Sequence, residues 1–133
     1  MAAFNCTLQT IPPLAYGTYV PGTTSNVDVT SRLRIRCRGG QGVARVTLGA
    51  GFSGNSGDRY MTSGTDNLRY NLFLNASHTV IWGDGTGATQ AYTISHPRGR
   101  PRNYRPTIYG RIFSNQDPAE GVYGDSILIT VEF

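Results

Sequence analysis

The side chains that could support catalysis are few and scattered. Two histidines, His78 and His96, and eight Asp and Glu residues stand against 12 basic residues, all of them arginine. A serine–histidine–aspartate site is defined by geometry rather than by order, so the sequence leaves that chemistry open. It offers no nucleophile elbow, no zinc-ligand spacing and no lysine for Schiff-base chemistry. We therefore expect a protein that is not an enzyme and that uses no cofactor or metal.

The segment Gly83–Gly87 reads GDGTG and raises the question of calcium or phosphate binding. Glycine-rich loops expose backbone amides, and an aspartate can ligate a metal. No lysine follows, as a phosphate loop requires, and no series of acidic residues supplies the ligands of a calcium loop. The pattern predicts a tight turn. Trp82, which precedes it, is predicted to fill the core of a sandwich.

The segment His96–Arg105, HPRGRPRNYR, interleaves arginines with prolines and one tyrosine. The planar guanidinium suits phosphate and carboxylate groups, so this loop could grip a polyanion. The net charge of +4 would favour attraction to polyanions generally, whereas a nucleic-acid role is not expected. A solvated, proline-stiffened loop is the alternative. The predicted contact residues are Arg98, Arg100, Arg102, Tyr104 and Arg105.

A second row of arginines lies within the predicted strand Val27–Cys37. Here apolar residues occupy one parity and polar residues the other, which is typical of a half-buried antiparallel strand. The arginines at 32, 34, 36 and 38 form a stripe on its outer face. We interpret this stripe as a solvated face that also discourages edge pairing.

The elements that must position these groups are short strands joined by glycine-rich turns. No helical spacing persists for three turns, and the length fits one domain over residues 1–133. Pro106 would sit at an edge or a bulge, and Gly49–Asp58 is predicted to be a loop. The fold class is all-β, a sandwich of about seven strands. Besides Val27–Cys37, the predicted strands are Val43–Leu48, Leu68–Asn75, Thr79–Trp82, Gln90–Ser95, Tyr104–Phe113 and Ser126–Phe133.

The cysteines Cys6 and Cys37 are expected to form a disulfide if the protein is exported, since pairing depends on the redox compartment. Two unrelated buried thiols are the alternative. No apolar segment is long enough to cross a bilayer, and the residues from Met1 to Phe4 lack the features of a signal peptide. We expect an exported protein whose signal peptide is absent from this chain.

Five segments in order resemble the spore coat protein U domain. The resemblance covers nearly the whole chain and includes both cysteine positions. It implies an immunoglobulin-like, pilin-type sandwich that lacks its final strand, made by an archaic chaperone–usher system. It further implies secretion through the periplasm to the cell surface, as a structural subunit of a fibre or spore coat. The segments are PLAYGTY (Pro13–Tyr19), LRYNLFLN (Leu68–Asn75), VIWGDGTG (Val80–Gly87), IYGRIF (Ile108–Phe113) and GVYGDSILITVEF (Gly121–Phe133).

The partners implied by this resemblance are a periplasmic pilus chaperone, an outer-membrane usher and neighbouring pilin subunits. A strand donated by a neighbour would fill a groove beside the last strand. An open edge also favours a homo-oligomer or a strand-swapped dimer. The predicted groove residues are Ile127, Ile129, Val131 and Phe133, with core support from Leu33, Ile35, Leu72, Leu74 and Trp82.

Two departures from the family pattern suggest a second function. Only Met1–Asn5 precede Cys6, so the chain carries no donor strand of its own, as in a shortened chain or a subunit at a fibre tip. The segment His96–Arg105 stands where related domains have a short turn rich in glycine and threonine. The alternative function is a tip adhesin that binds anionic surface glycans or lipid through the loop 96–105.

Overall fold

The computed structural model describes residues 4–10, 19–21 and 25–133, and these residues form short strands and turns. Of the family-like segment Pro13–Tyr19, all but Tyr19 lies outside the described residues. The described strands are β1 (Asn5–Thr10), β2 (Val27–Arg32), β3 (Arg34–Arg38), β4 (Gly42–Leu48), β5 (Tyr60–Ser63), β6 (Asp66–Phe73), β7 (Ile81–Trp82), β8 (Thr89–Gln90), β9 (Tyr92–His96), β10 (Arg102–Tyr104), β11 (Thr107–Ile112) and β12 (Ile129–Glu132).

The strands form three hydrogen-bonded sheets, and their buried side chains share one core. One sheet has the order β1-β3-β10, and a second has the order β12-β4-β9. The largest runs β2-β11-β6-β7-β8, with β5 paired to β6. All the ladders are antiparallel except β7-β8. This arrangement confirms the predicted all-β sandwich.

Two long predicted strands are each divided between two sheets. The predicted strand Val27–Cys37 breaks at Leu33, so that β2 pairs with β11 while β3 pairs with β1 and β10. The predicted strand Tyr104–Phe113 breaks beside Pro106 in the same way. The two breaks face each other, because the amide of Leu33 donates to the carbonyl of Pro106 at 3.0 Å. A proline has no N–H for the ladder, which favours a crossing there.

The core forms where the alternation of the sequence predicted it. Leu33, Ile35 and Leu72 are almost completely buried, and Leu74 is half-buried against them. Trp82 is fully buried, and its indole N–H donates to the carbonyl of Val46 at 2.9 Å. The prediction that Trp82 is a core residue is therefore confirmed.

Several strand predictions were wrong in number or extent. Twelve described strands replace the expected seven. The divisions at the crossings add two, β1 and β5 were missed, and β8 and β9 stand where one strand, Gln90–Ser95, was predicted. In β5 only Met61 is buried, so no alternation marks it in the sequence. The predicted loop Gly49–Asp58 is confirmed, apart from one 3-10 turn at Gly51–Ser53. Among the described residues, no helix has the length and apolarity needed to cross a membrane.

The disulfide between Cys6 and Cys37 is formed, as predicted. The two residues lie directly opposite each other in the β1–β3 ladder, with their Cα atoms 4.0 Å apart. Both are buried. The bond therefore attaches β1, the first strand of its sheet, to the central strand β3.

Candidate strand-acceptor site

β1 and β12 are two of the described strands that have a hydrogen-bonded neighbour on one side only. Each is the terminal strand of its three-stranded sheet, and the two strands approach each other. The rings of Phe4 and Phe133 meet edge to face, 6.1 Å apart. We call the apolar side chains along these two edges the seam. Those packed against the core are Phe4, Leu8, Ile127, Ile129 and Val131, and the exposed Phe133 lies beside Phe4.

The β4–β12 register shows that the seam faces the core and yet is incompletely covered. Ile129 pairs with Leu48 and Val131 with Val46, and residues paired across a ladder project to the same face. Leu48 and Val46 are 0% exposed, whereas Ile129 and Val131 are only partly buried. The core-facing side chains of β4 are therefore completely covered, whereas those of β12 are covered only in part.

The predicted last strand is correspondingly shorter and less buried than expected. Only Ile129–Glu132 of the segment 126–133 is strand. Phe133 is 63% exposed, and Leu128, on the opposite parity, is 74% exposed. The prediction of a strand over Ser126–Phe133 was therefore wrong in extent. Alternation identifies the core-facing side of a strand but does not reveal how completely its neighbours cover it.

The charges of this region lie on the outer side of β12. Arg45 of β4 reaches Glu132 at 3.5 Å, and both side chains are about half exposed. The same guanidinium donates to the carbonyl of Asp84 at 2.9 Å. The core-facing row of β12 carries no charge, so the seam presents apolar side chains beside an open row of main-chain donors and acceptors.

The family model of the Spore Coat Protein U domain matches residues 1–130. The chain belongs to this family. No curated protein matches it significantly.

Two solved structures are similar to this Spore Coat Protein U domain. One is the CsuC-CsuE chaperone-tip adhesion subunit pre-assembly complex from archaic chaperone-usher Csu pili of Acinetobacter baumannii, with 23% identity and a TM-score of 0.65 over 98% of this chain and 40% of that chain. The other is a chaperone-tip adhesin complex of CFA/I fimbriae biogenesis, with 12% identity and a TM-score of 0.47 over 97% of this chain and 42% of that chain. The chain thus spans about two fifths of the length of each. The first likeness supports the fold.

The GDGTG segment of this Spore Coat Protein U domain is a tight turn, as predicted. Asp84 accepts hydrogen bonds from the amide of Thr86 at 2.9 Å and from its hydroxyl at 2.5 Å. These bonds lower the pKa of the Asp84 carboxyl. Gly85 adopts φ +94°, which glycine tolerates without strain. Among the described residues, no group of His, Cys, Asp and Glu is arranged to hold a metal.

A buried arginine, which the sequence pattern did not reveal, organises the loops at one end of the Spore Coat Protein U domain. Arg59 is 0% exposed and donates to the carbonyls of Leu48 and Trp82 at 3.1 and 2.9 Å. It also reaches the side-chain oxygen of Asn71 at 2.7 Å. Burial lowers the pKa of the guanidinium, and nearby groups, including Asp125, partly offset this effect. An arginine after a polar loop looks exposed in sequence, so no signal marked this one.

The predicted anion-binding loop is part strand and part turn. His96 was expected in a loop, but this was wrong: it ends β9, is 1% exposed and lies with Nδ1 2.8 Å from the hydroxyl of Tyr104. Tyr104 lies in β10 opposite Ile35 and packs against the core. The structure leaves the four arginines of this loop, Arg98, Arg100, Arg102 and Arg105, exposed.

Proposed function

We propose that this Spore Coat Protein U domain is a structural subunit of a secreted surface fibre or coat, completed by a strand added at the seam. One observation carries the proposal. Ile129 and Val131 face the core but stay partly exposed, whereas their partners Leu48 and Val46 are fully buried. A strand laid along β12 would pair with its open edge and cover these side chains.

The energetics favour an added strand over an open edge. Fully burying a large aliphatic side chain contributes roughly 1.5–3 kcal/mol relative to leaving it exposed. Ile127, Ile129 and Val131 are each partly exposed, so each would contribute part of that amount. Unpaired edges beside apolar surface otherwise recruit other chains, which gives aggregates or swapped dimers. A subunit that polymerises turns this tendency into its assembly reaction.

The partners in this proposal are a periplasmic chaperone, an outer-membrane usher and neighbouring subunits. The chaperone would hold the seam in the periplasm, and a neighbouring subunit would replace it in the surface fibre. The similar Csu structure is itself a chaperone-tip adhesion subunit complex, which supports a chaperone as the first occupant. In this proposal the chain acts as one domain over residues 1–133, its role is structural rather than enzymatic, and without an occupant it forms homo-oligomers or swapped dimers.

Tip position and adhesion remain a second proposal. It is favoured by the exposure of the arginines in the segment 96–105. A tip subunit would accept a strand at the seam in the same way as a shaft subunit. The two proposals therefore share the acceptor site and differ in what the outer surface binds.

The acceptor site can be tested by placing a carboxylate in the seam. Val131→Asp puts a charge where the added strand would bury it, and burying an unpaired charge is strongly unfavourable. We expect the variant to lose co-purification with a periplasmic pilus chaperone co-expressed in bacteria. Leu128→Asp is the matched control, because Leu128 lies on the opposite parity and is 74% exposed. We expect that variant to be captured as well as the parent.

Equal capture of both variants would show that the seam is not the acceptor. Circular dichroism melts of both variants check that Val131→Asp still folds. Light scattering of the isolated parent provides an independent readout, for which we expect concentration-dependent oligomers. A monomer with a cooperative, reversible melt at micromolar concentration would contradict an open acceptor edge.

A further inference from the structure

Positive charge is concentrated in two segments of the chain. No Asp or Glu occurs between residues 29 and 57 or between residues 85 and 116. Of the 12 arginines, Arg45, Arg69 and Arg111 each pair with a carboxylate, and Arg59 is buried among carbonyls. In the described part of the chain, no carboxylate pairs with the other eight arginines, all of which lie in the two segments. These are Arg32, Arg34, Arg36, Arg38, Arg98, Arg100, Arg102 and Arg105.

The β3–β10 ladder brings the two segments together. Asn103 lies opposite Arg36 and Tyr104 opposite Ile35, and Pro106 bonds to Leu33, so Arg105 comes beside Arg34. Alternate residues of β3 project outward about 6.6 Å apart. Arg102 lies opposite Cys37. The turn before it, which carries Arg98 and Arg100, therefore lies near Arg38, the last residue of β3. We call this group the cationic face: Arg34, Arg36, Arg38, Arg98, Arg100 and Arg105.

The packing of the sheet does not account for this face. The sequence suggested a solvated face that also discourages edge pairing, and the exposure of these arginines agrees with a solvated face. Edge protection does not apply to the arginines of β3, because β3 is the middle strand of β1-β3-β10. Like charges placed side by side across a ladder are destabilising, as in the neighbours Arg34 and Arg105. All members of the face are exposed, so solvent can reach each guanidinium. An external anion would relieve the repulsion that the fold leaves uncompensated.

We propose that the cationic face binds an acidic polysaccharide. A row of arginines along a flat, extended strand matches a linear polymer that carries carboxylate or sulfate groups at intervals. Guanidinium groups engage such oxyanions in bidentate pairs. Asn103 and Thr7 flank Arg36 on the two neighbouring strands and can hydrogen-bond sugar hydroxyls. The face thus combines charge with neutral polar groups, as a charged glycan requires.

Lipid and single-stranded nucleic acid fit this surface less well. Peripheral membrane binding combines charge with inserted apolar side chains, but none of the large exposed apolar side chains of the described residues lies in 34–38 or 97–105. Single-stranded nucleic acid stacks its bases on aromatic side chains. Tyr104, the aromatic residue of this sheet nearest the arginines, is packed against the core. The described residues therefore favour a polysaccharide.

This inference does not depend on strand addition at the seam. The cationic face lies on the outer side of the sheet, whereas the seam side chains of β1 face the core. An added strand would leave the face open. If the subunit does polymerise, each copy would present the same face, and many weak contacts to one polymer would combine into strong binding.

The test is binding of the purified 133-residue chain to immobilised alginate, a polysaccharide of uronic acids, with uncharged dextran as the reference surface. Arg34→Ser/Arg36→Ser removes two charges from the face. Arg69→Ser/Arg111→Ser removes one exposed and one partly exposed charge from elsewhere on the domain and is the matched control. We expect the first variant to bind about tenfold more weakly and the control to bind within about twofold of the parent, since contact pairs outweigh general charge attraction. Melting temperatures confirm that both variants fold.

A third variant, Arg98→Ser/Arg100→Ser, tests whether the turn and β3 act together. We expect it to weaken alginate binding as well. If the contact variants and the control lost alginate binding to the same extent, the binding would depend only on net charge, and the proposal would be overturned. Loss confined to the turn variant would exclude β3. Binding to phosphatidylglycerol vesicles or to an oligothymidine that equals alginate binding and depends on the same arginines would overturn the assignment to a polysaccharide.

Discussion

Val46 and Val131 lie opposite one another in the β4–β12 ladder and share its core-facing side, yet only Val46 is fully buried. The two residues have the same chemistry and the same orientation. They differ in what lies beside their strands. β4 has a neighbouring strand on each side, whereas β12 has a neighbouring strand on one side only. The pattern of a strand thus decides which way a side chain points, whereas burial is decided by the neighbouring strands.

The sheet containing β11 gives the same contrast on a larger scale. β11 pairs with β2 on one side and β6 on the other, and Ile108 and Ile112 are buried within it. Its outer face is braced by Arg111, which donates to both carboxylate oxygens of Asp28 at 2.8 and 3.0 Å. Within its sheet β11 therefore has a hydrogen-bonded neighbour on each side, whereas β12 has a neighbour on one side only.

The strongest test of this difference in burial is to truncate two side chains that are paired in the β4–β12 ladder, Leu48 and Ile129. Leu48→Ala should lower the free energy of unfolding by about 3 to 5 kcal/mol, because it leaves a cavity in a packed core. Ile129→Ala, directly opposite, should cost about 1 kcal/mol in the isolated chain, because it removes only partly buried surface. Denaturant unfolding measures both. Equal losses would mean that the seam is already covered.

Removing the disulfide tests the β1 side of the seam. Cys6→Ser/Cys37→Ser should cost about 3 to 4 kcal/mol, by the loop-closure estimate for a bond that joins residues 31 apart. The loss should appear in denaturant unfolding as a shift of the midpoint. Reduction of the parent by dithiothreitol should give the same shift. A change below about 1 kcal/mol would show that the β1–β3 ladder holds without the bond.

The smallest expected effect concerns the Arg111–Asp28 pair across the β2–β11 ladder. The hydrogen bond from Arg111 lowers the pKa of Asp28, so the ionised carboxylate stabilises the fold. This contribution is present above the ordinary carboxyl pKa of 3.8 and is lost as the pH falls through the lowered value. Since both groups are partly exposed, Asp28→Asn should cost less than about 1 kcal/mol at neutral pH. A difference that persists at the same size in strong acid would contradict this cause.

Much of the fold could be predicted from the sequence because alternation reports the facing of side chains directly. Alternation placed Leu33 and Ile35 in the core, the size of the indole placed Trp82 there, and the expectation of export paired the two cysteines. Alternation could not show that the strands break beside Leu33 and Pro106, since a strand that changes sheets keeps its alternation.

The candidate site was less predictable. The parity of Ile127, Ile129, Val131 and Phe133 marked the core-facing side of the last strand, but incomplete burial depends on the absence of a neighbouring strand. The meeting of Arg34 with Arg105 depends on the β3–β10 register, which links residues far apart in sequence. Arg59 was missed because its partners, the carbonyls of Leu48 and Trp82 and the side chain of Asn71, come from three separate segments.

The paired crossings beside Leu33 and Pro106 have a mechanical consequence. The chain passes from one sheet to the other at Leu33, between β2 and β3, and again at Pro106, between β10 and β11. The Leu33–Pro106 hydrogen bond joins these two crossing points. Sliding one layer over the other would therefore strain two ladders at once. Tension applied along these strands would load their hydrogen bonds in shear, as a group, rather than peel them apart one at a time.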